Sequence, residues 1–258
     1  FATTPDVTVA SFNVLNFFNG NGVGGGFPTS RGAQSIDEYN RQLNKLVTAL
    51  YAIHADVFGL MEIENDSGPN QAAASLVAAL NAEFGSTEYA YIDTGVMGTD
   101  EIKVAIIYRV NGVIPVGSYA TLGGNPFDQN TRPPLAQTFE DTLTGARFTV
   151  VVNHFKSKGS VPSSGALPGD TDQGDGQGMS NATRVLAAEL VRDWIDTNAY
   201  FSDPDVLLIG DYNSYYYEDP ISVFINAGYG QLTNNTDYSY TFDGQLGSLD
   251  HALGSSSL

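Results

Sequence analysis

Four short segments, far apart in the chain, carry residue types suited to metal and phosphate chemistry. They are Ser11-Phe12-Asn13-Val14-Leu15-Asn16, Leu60-Met61-Glu62-Ile63-Glu64-Asn65, Val152-Asn153-His154-Phe155-Lys156-Ser157-Lys158 and Ile209-Gly210-Asp211-Tyr212-Asn213. Each sets a polar or ionisable group at the end of an apolar, β-like run. Glu62, beside Glu64 and Asp66, can hold a hard cation through oxygen; the same residues also read as a solvated acidic loop. Asp211 can orient or deprotonate a water, and Asn213 can donate to a phosphoryl oxygen. Asp-x-Asn is equally an Asx turn closing a strand. His154 ends a Val-rich run, and a strand continuing past it would put His154, Lys156 and Lys158 on one face. Those two lysines, among only 11 basic residues, would make a local phosphate-attracting patch. The chemistry this set suits is divalent-metal phosphodiester hydrolysis.

Composition narrows the choices. The chain has 258 residues and an apolar fraction of 42%, enough for one large core. It contains no cysteine, which excludes disulfides and thiolate metal sites. His54, His154 and His251 are the three imidazoles, so zinc is disfavoured and oxygen-ligated magnesium, calcium or manganese preferred. No apolar run is long enough to span a membrane, and no signal-peptide pattern is present. The net charge of −18 runs against the basic footprint usual for nucleic-acid binders. It is compatible with one if the cations gather at the site and salt screens the rest over roughly 8–10 Å.

Periodicity places the elements that must hold these residues. Strands are predicted over 6–15, 56–61, 102–109, 112–122, 135–143, 146–153 and 206–209. Asn111-Gly112 and Thr144-Gly145 read as hairpin turns. Helices are predicted over 38–52, 70–84, 181–198 with Asn181 as its cap, and 219–227 behind Pro220. Residues 159–180 read as loop. Interleaved helices and frequent hairpins argue for mixed sheets with outer helices in one domain. The glycines at 20–25 fit a dinucleotide fingerprint only in spacing, since no helix follows. Asp170-Thr171-Asp172-Gln173-Gly174-Asp175-Gly176 offers a structural calcium loop, though it departs from EF-hand spacing. Tyr215-Tyr216-Tyr217 suits base stacking or plain packing.

Taken in order, these segments resemble the endonuclease/exonuclease/phosphatase superfamily, with its DNase I-like fold, and within it secreted bacterial nucleases of the ExeM/NucH type. Phe27-Pro28-Thr29 with Arg31-Gly32-Ala33, Arg41-Gln42, Thr99-Asp100 with Ile102-Lys103-Val104-Ala105, Gly174-Asp175-Gly176-Gln177-Gly178 and Asn181-Ala182-Thr183-Arg184 add to the likeness. The resemblance implies a four-layer α/β/β/α sandwich with largely antiparallel mixed sheets. It implies that Asn13 and Glu62 hold a catalytic Mg2+ or Mn2+, that His154 contacts the scissile phosphate, and that Asp211 acts on the water with Asn213 beside it. Lys156, Lys158, Arg184 and Asp100 would serve the substrate. The expected partner is DNA, with RNA as the alternative; the protein is expected to be a secreted or cell-surface monomer, alone or within a larger multidomain chain.

The family also places an Asp-His pair near its C-terminus. Two readings of Leu249-Asp250-His251 stand. In one, Asp250 orients a catalytic histidine that lies beyond residue 258, and the domain 1–258 lacks its last strand. In the other, His251 is itself catalytic. Competing functions are a phosphatase or phospholipase of the same fold, and a non-catalytic calcium-binding module.

Overall fold

The computed structural model describes residues 7–129, 131–234, 236, 238–242 and 244–258. Two sheets face each other, and helices cover both outer faces. The first sheet has the order β1-β2-β4-β3, from β1 (Val9–Phe17), β2 (Val57–Glu64), β3 (Tyr89–Tyr91) and β4 (Ile102–Arg109). The second has the order β5-β6-β7-β8-β12-β9. It is built from β5 (Val113–Thr121), β6 (Leu135–Asp141), β7 (Arg147–His154), β8 (Val206–Asp211), β9 (Gly230–Gln231) and β12 (Asp250–Gly254), while β10 (Tyr240–Phe242) and β11 (Gln245–Gly247) form a separate hairpin. Within the two main sheets, β1–β2 and β7–β8 pair in parallel, and the other ladders are antiparallel. The four-layer α/β/β/α sandwich expected from the sequence is therefore the fold observed.

The packing explains why β2 and β8 are apolar without alternation: both are covered on two sides. Phe58 and Leu60 of β2 join Leu46, Leu50, Leu76 and Leu80 of helices α1 (Ile36–Ile53) and α2 (Ala72–Phe84). Val57 and Met61 face the other way, onto Val150, Val152 and Ile209 of the second sheet. Beyond that sheet, Ala187, Val191 and Trp194 of α3 (Asn181–Thr197) and Ile221 and Phe224 of α4 (Asp219–Asn226) cover Val151 and Leu208. The sheets approach closely at Gly59. A Cβ there would lie 2.6 Å from Ile209 Cδ1 and 2.8 Å from Val152 Cγ2.

Helix α3 starts differently from expectation. Ser180, not Asn181, is at the cap, in a left-handed conformation and without a side-chain cap bond. Asp170 substitutes from ten residues upstream of Ser180, accepting from Thr183 N at 2.8 Å and Thr183 Oγ1 at 2.7 Å. Among the described residues no helix is long and apolar enough to cross a membrane.

Candidate active site

The site forms where one end of each sheet meets the other. In the second sheet, the register puts His154 beside Asp211 and Asp211 beside Asp250. Three adjacent strands thus present one polar row. Gly210 makes the β7–β8 approach feasible: it has φ +137°, and a Cβ would meet Asn153 O. Asn213, also left-handed at φ +49°, donates its backbone N–H to Asp211 Oδ1 at 2.9 Å. The Asx turn read from Asp-x-Asn is therefore present. The Asn213 side chain donates to Phe155 O at 3.1 Å, bracing the two strand ends.

In the first sheet, two β-bulges bring up the complementary residues. Register slips between Asn13 and Phe17 in β1, and between Leu60 and Ile63 in β2. Leu15, Asn16 and Glu62 all take positive φ, which non-glycine residues rarely adopt; bulges of this kind re-aim side chains beside sites. Glu62 Oε2 accepts from Asn16 N, and Oε1 accepts from Asn13 Nδ2, both at 3.1 Å. Asn13 Nδ2 also reaches Asp211 Oδ2 at 3.3 Å, across the sheets. Asn13 therefore ties the two carboxylates together while Leu15 N holds its Oδ1 at 2.9 Å.

Electrostatics follow from burial. Asp211 is pushed up to about 7 by burial first, and then by Asp250 and Glu62. Asp250 is raised by burial as well, Ser239 opposing and Glu62 adding to the rise. His154 Nε2 lies 3.9 Å from both Glu62 Oε1 and Asp211 Oδ2, too far for hydrogen bonds. Burial, with Arg132 and Arg31 nearby, holds this imidazole well below its usual range. Its buried Nδ1 has no hydrogen-bond partner among the described residues.

Glu62 and the Asn13 side-chain oxygen offer hard oxygen donors, each with a lone pair beyond its bonds to the chain. That fits a magnesium-like ion, which takes one or two carboxylates and fills its remaining positions with water and phosphate. It does not amount to a closed cage: no group of three His, Asp or Glu among the described residues converges on one ion position. The 170–175 loop also assembles no such group. Asp170 is spent on Leu167 and Thr183, while Asp172 and Asp175 close Asx turns.

Other expected residues are not brought to this row. β7 ends at His154, so the alternation that would have aligned Lys158 does not continue. Lys158 instead forms an ion pair with Glu218 and donates to Gln177 O. Arg184 is fully buried and donates to Lys156 O, Met179 O and Gln177 O. Both tie the 159–180 loop to the helical layer. Glu218→Ala should strand the Lys158 charge and cost about 3 kcal/mol, read as a lower Tm and faster proteolysis of the loop. His251 lies on the face of β12 opposite Asp250: its ring contacts Ser214 O at 2.7 Å and Gln231 Nε2 at 2.9 Å, and it abuts Tyr212. The reading that makes His251 catalytic has no support in this placement. Lys156, half-buried, contacts Ser157 and Ser160.

Asp100 lies between two guanidiniums. It bridges Arg31 at 2.8 Å and Arg132 at 3.1 Å. Arg132 was not singled out in the sequence, and Arg31 only as part of a motif. The available signal was scarcity, since each is one of 11 basic residues and both lie in loops rather than on helix surfaces.

No protein-family model matches the sequence, and no curated protein matches it. Solved structures do. An endonuclease/exonuclease/phosphatase family protein from Bacteroides thetaiotaomicron superposes with a TM-score of 0.61 at 17% identity, over 97% of this chain and 83% of that one. A mannosyl-6-phosphatase from the same species gives 0.60 at 17%, over 97% and 86%. TDP2 from D. rerio, complexed with a single-strand DNA product, gives 0.57 at 13%, over 98% and 85%. The chain thus has the fold of the endonuclease/exonuclease/phosphatase proteins, the DNase I-like fold.

Proposed function

We propose that this protein is a divalent-metal-dependent phosphodiesterase that hydrolyses nucleic acid, DNA first. One observation carries the reading: carboxylates from both sheets lie 3.9 Å from a buried histidine across a gap bridged by Asn13. Ionised Asp211 takes the proton of the attacking water. His154, kept uncharged, donates a ring N–H to a phosphoryl oxygen as charge builds there. Glu62, with Asn13 Oδ1, would hold the cation, which when bound neutralises phosphoryl charge and stabilises the leaving oxygen. Asn13 and Asn213 fix the carboxylates; Asp250 raises the basicity of Asp211 by its charge.

The narrower likeness to ExeM/NucH-type nucleases rests on sequence motifs. A secreted setting is our reading of the family resemblance and the acidic charge of −18. The DNA product in the TDP2 structure favours nucleic acid, whereas the mannosyl-6-phosphatase favours a phosphomonoester. Supercoiled plasmid and mannose 6-phosphate, each with Mg2+, Mn2+, added Ca2+ or chelator, separate the two. Chelator-sensitive nicking is the expected result. Phosphate release from the sugar with the plasmid left intact would replace the nuclease with a phosphatase.

A further inference from the structure

Arg31, Asp100 and Arg132 come from three separate loops, yet their placement is fixed from several sides. Arg31 sits in a tight turn closed by Thr29 and Ala33. That turn is pressed against β1 so closely that a Cβ on Gly32 would lie 2.6 Å from Asn16 O. The Asp100 loop is anchored by Asn65, whose side chain donates to Met97 O and Asp100 O and accepts from Met97 N. The same loop meets the Arg132 segment at Gly98, where a Cβ would lie 2.8 Å from Pro133 Cδ. Arg132 leans on the strand that carries His154: its Nη1 donates to Phe155 O at 3.2 Å, and neighbouring Thr131 Oγ1 donates to His154 O at 2.8 Å.

Two guanidiniums therefore share one carboxylate. Asp100 uses one oxygen on each and cancels half of their charge. A guanidinium carries five donors in a planar fork suited to phosphate, and one carboxylate oxygen cannot satisfy them. Arg132 is nearly buried, whereas about a third of the Arg31 and Asp100 side chains is open to solvent. The unit is thus rigid at its base and reachable at its tip. It stands beside His154, displaced toward the β4 and β6 side of the row formed by His154, Asp211 and Asp250. The two guanidiniums outweigh Asp100 by one charge, with Glu62 and Asp211 close enough to Arg132 to act on it, so the pair brings positive charge to the edge of the site in a protein of net charge −18.

We propose that Arg31 and Arg132, spaced by Asp100, form a second phosphate subsite that grips a phosphate of the substrate other than the one being cleaved. This deepens the nucleic-acid reading and rests on it, because a strand presents phosphates at regular intervals while a simple sugar phosphate presents one. Asp100 is a positioning residue: it sets the distance between the two forks.

The test is binding without turnover. The whole protein in chelator is titrated with a fluorescent single-stranded DNA octamer at several NaCl concentrations. Each lost phosphate contact should lower the slope of log K against log[salt] by about 0.7. Arg31→Gln, at a partly open position that folding tolerates, should lose that increment and weaken binding about 5–20-fold; Arg31→Glu should weaken it further. Arg41→Gln, on an exposed face of α1, is the control. An unchanged slope in both Arg31 variants overturns the proposal. A dinucleotide with and without a 5′-phosphate distinguishes a terminal monoester from an internal diester as the group gripped. If wild-type protein with Mg2+ cleaves no plasmid while the Arg31 slope still falls, the subsite stands and the phosphodiesterase reading fails.

Discussion

Asp211→Asn is expected to lower hydrolysis by about 10²–10⁴-fold, the usual worth of a positioned base, while making the metal-free protein more stable above pH 7. The two effects have one cause. Asp211 is raised from 3.8 to about 7 by burial and by the neighbouring carboxylates, so the folded protein holds its proton more tightly than the unfolded chain does. That contribution to stability is complete below the unfolded pKa, declines between about pH 4 and 7, and is absent above. Asn resembles the protonated form and carries no such penalty. Thermal melts in chelator at pH 5 and pH 8 check it: the Tm advantage of the variant should widen at pH 8. A variant that lost activity and melted lower at pH 8 would mark Asp211 as a structural residue. His154 acts with the opposite dependence on pH. Its depressed folded value removes stability as pH falls below the unfolded imidazole range, so the melts are best compared pairwise at each pH.

Much of this arrangement was legible in the residues. The apolar runs before His154 and Asp211 mark two strand ends, because a strand buried on both faces leaves an unalternated stretch, whereas β2 continues past Glu62 to Glu64. The two bulges left no such mark: Leu15, Asn16 and Glu62 adopt left-handed backbone without glycine, held by tertiary hydrogen bonds that no local pattern announces. Lys158 was misplaced by extending the period of two past the end of β7. Arg184 was misplaced because a guanidinium on a helix is ordinarily exposed, and here backbone carbonyls of the 177–179 segment wrap it. The Arg31–Asp100 pair spans 69 positions, a separation at which spacing carries no information. The short strands β3, β9, β10 and β11 were also missed, each having too few residues to show a period.

The second large effect concerns a residue with no chemistry of its own. Gly59→Val should reduce kcat severely in protein that remains folded. Gly59 has ordinary backbone angles, so the barrier is purely steric: the added side chain would strike Ile209 and Val152 of the opposite sheet. Overpacking of this kind costs about 1–3 kcal/mol, relieved here by moving one sheet away from the other. Glu62 lies three residues along the same strand, and its contact with Asp211 runs through Asn13 at 3.1 and 3.3 Å. A shift of a few tenths of an ångström breaks that bridge. Circular dichroism and near-ultraviolet spectra should show a native-like fold while turnover falls. If folded Gly59→Val turns over at the wild-type rate, the spacing of the sheets does not set the geometry of the site.

Neither sheet contains a working set of groups. Asn13 and Glu62 belong to one, His154, Asp211 and Asp250 to the other, and the apolar layer between them, with the Asn13–Asp211 hydrogen bond, sets their separation. During refolding, each sheet can complete its own ladders before the two come together. Helical and strand signals would then recover first, and catalytic competence would appear only when Val57, Met61 and Ile209 lose their last water, making turnover a late clock for the docking of the two halves.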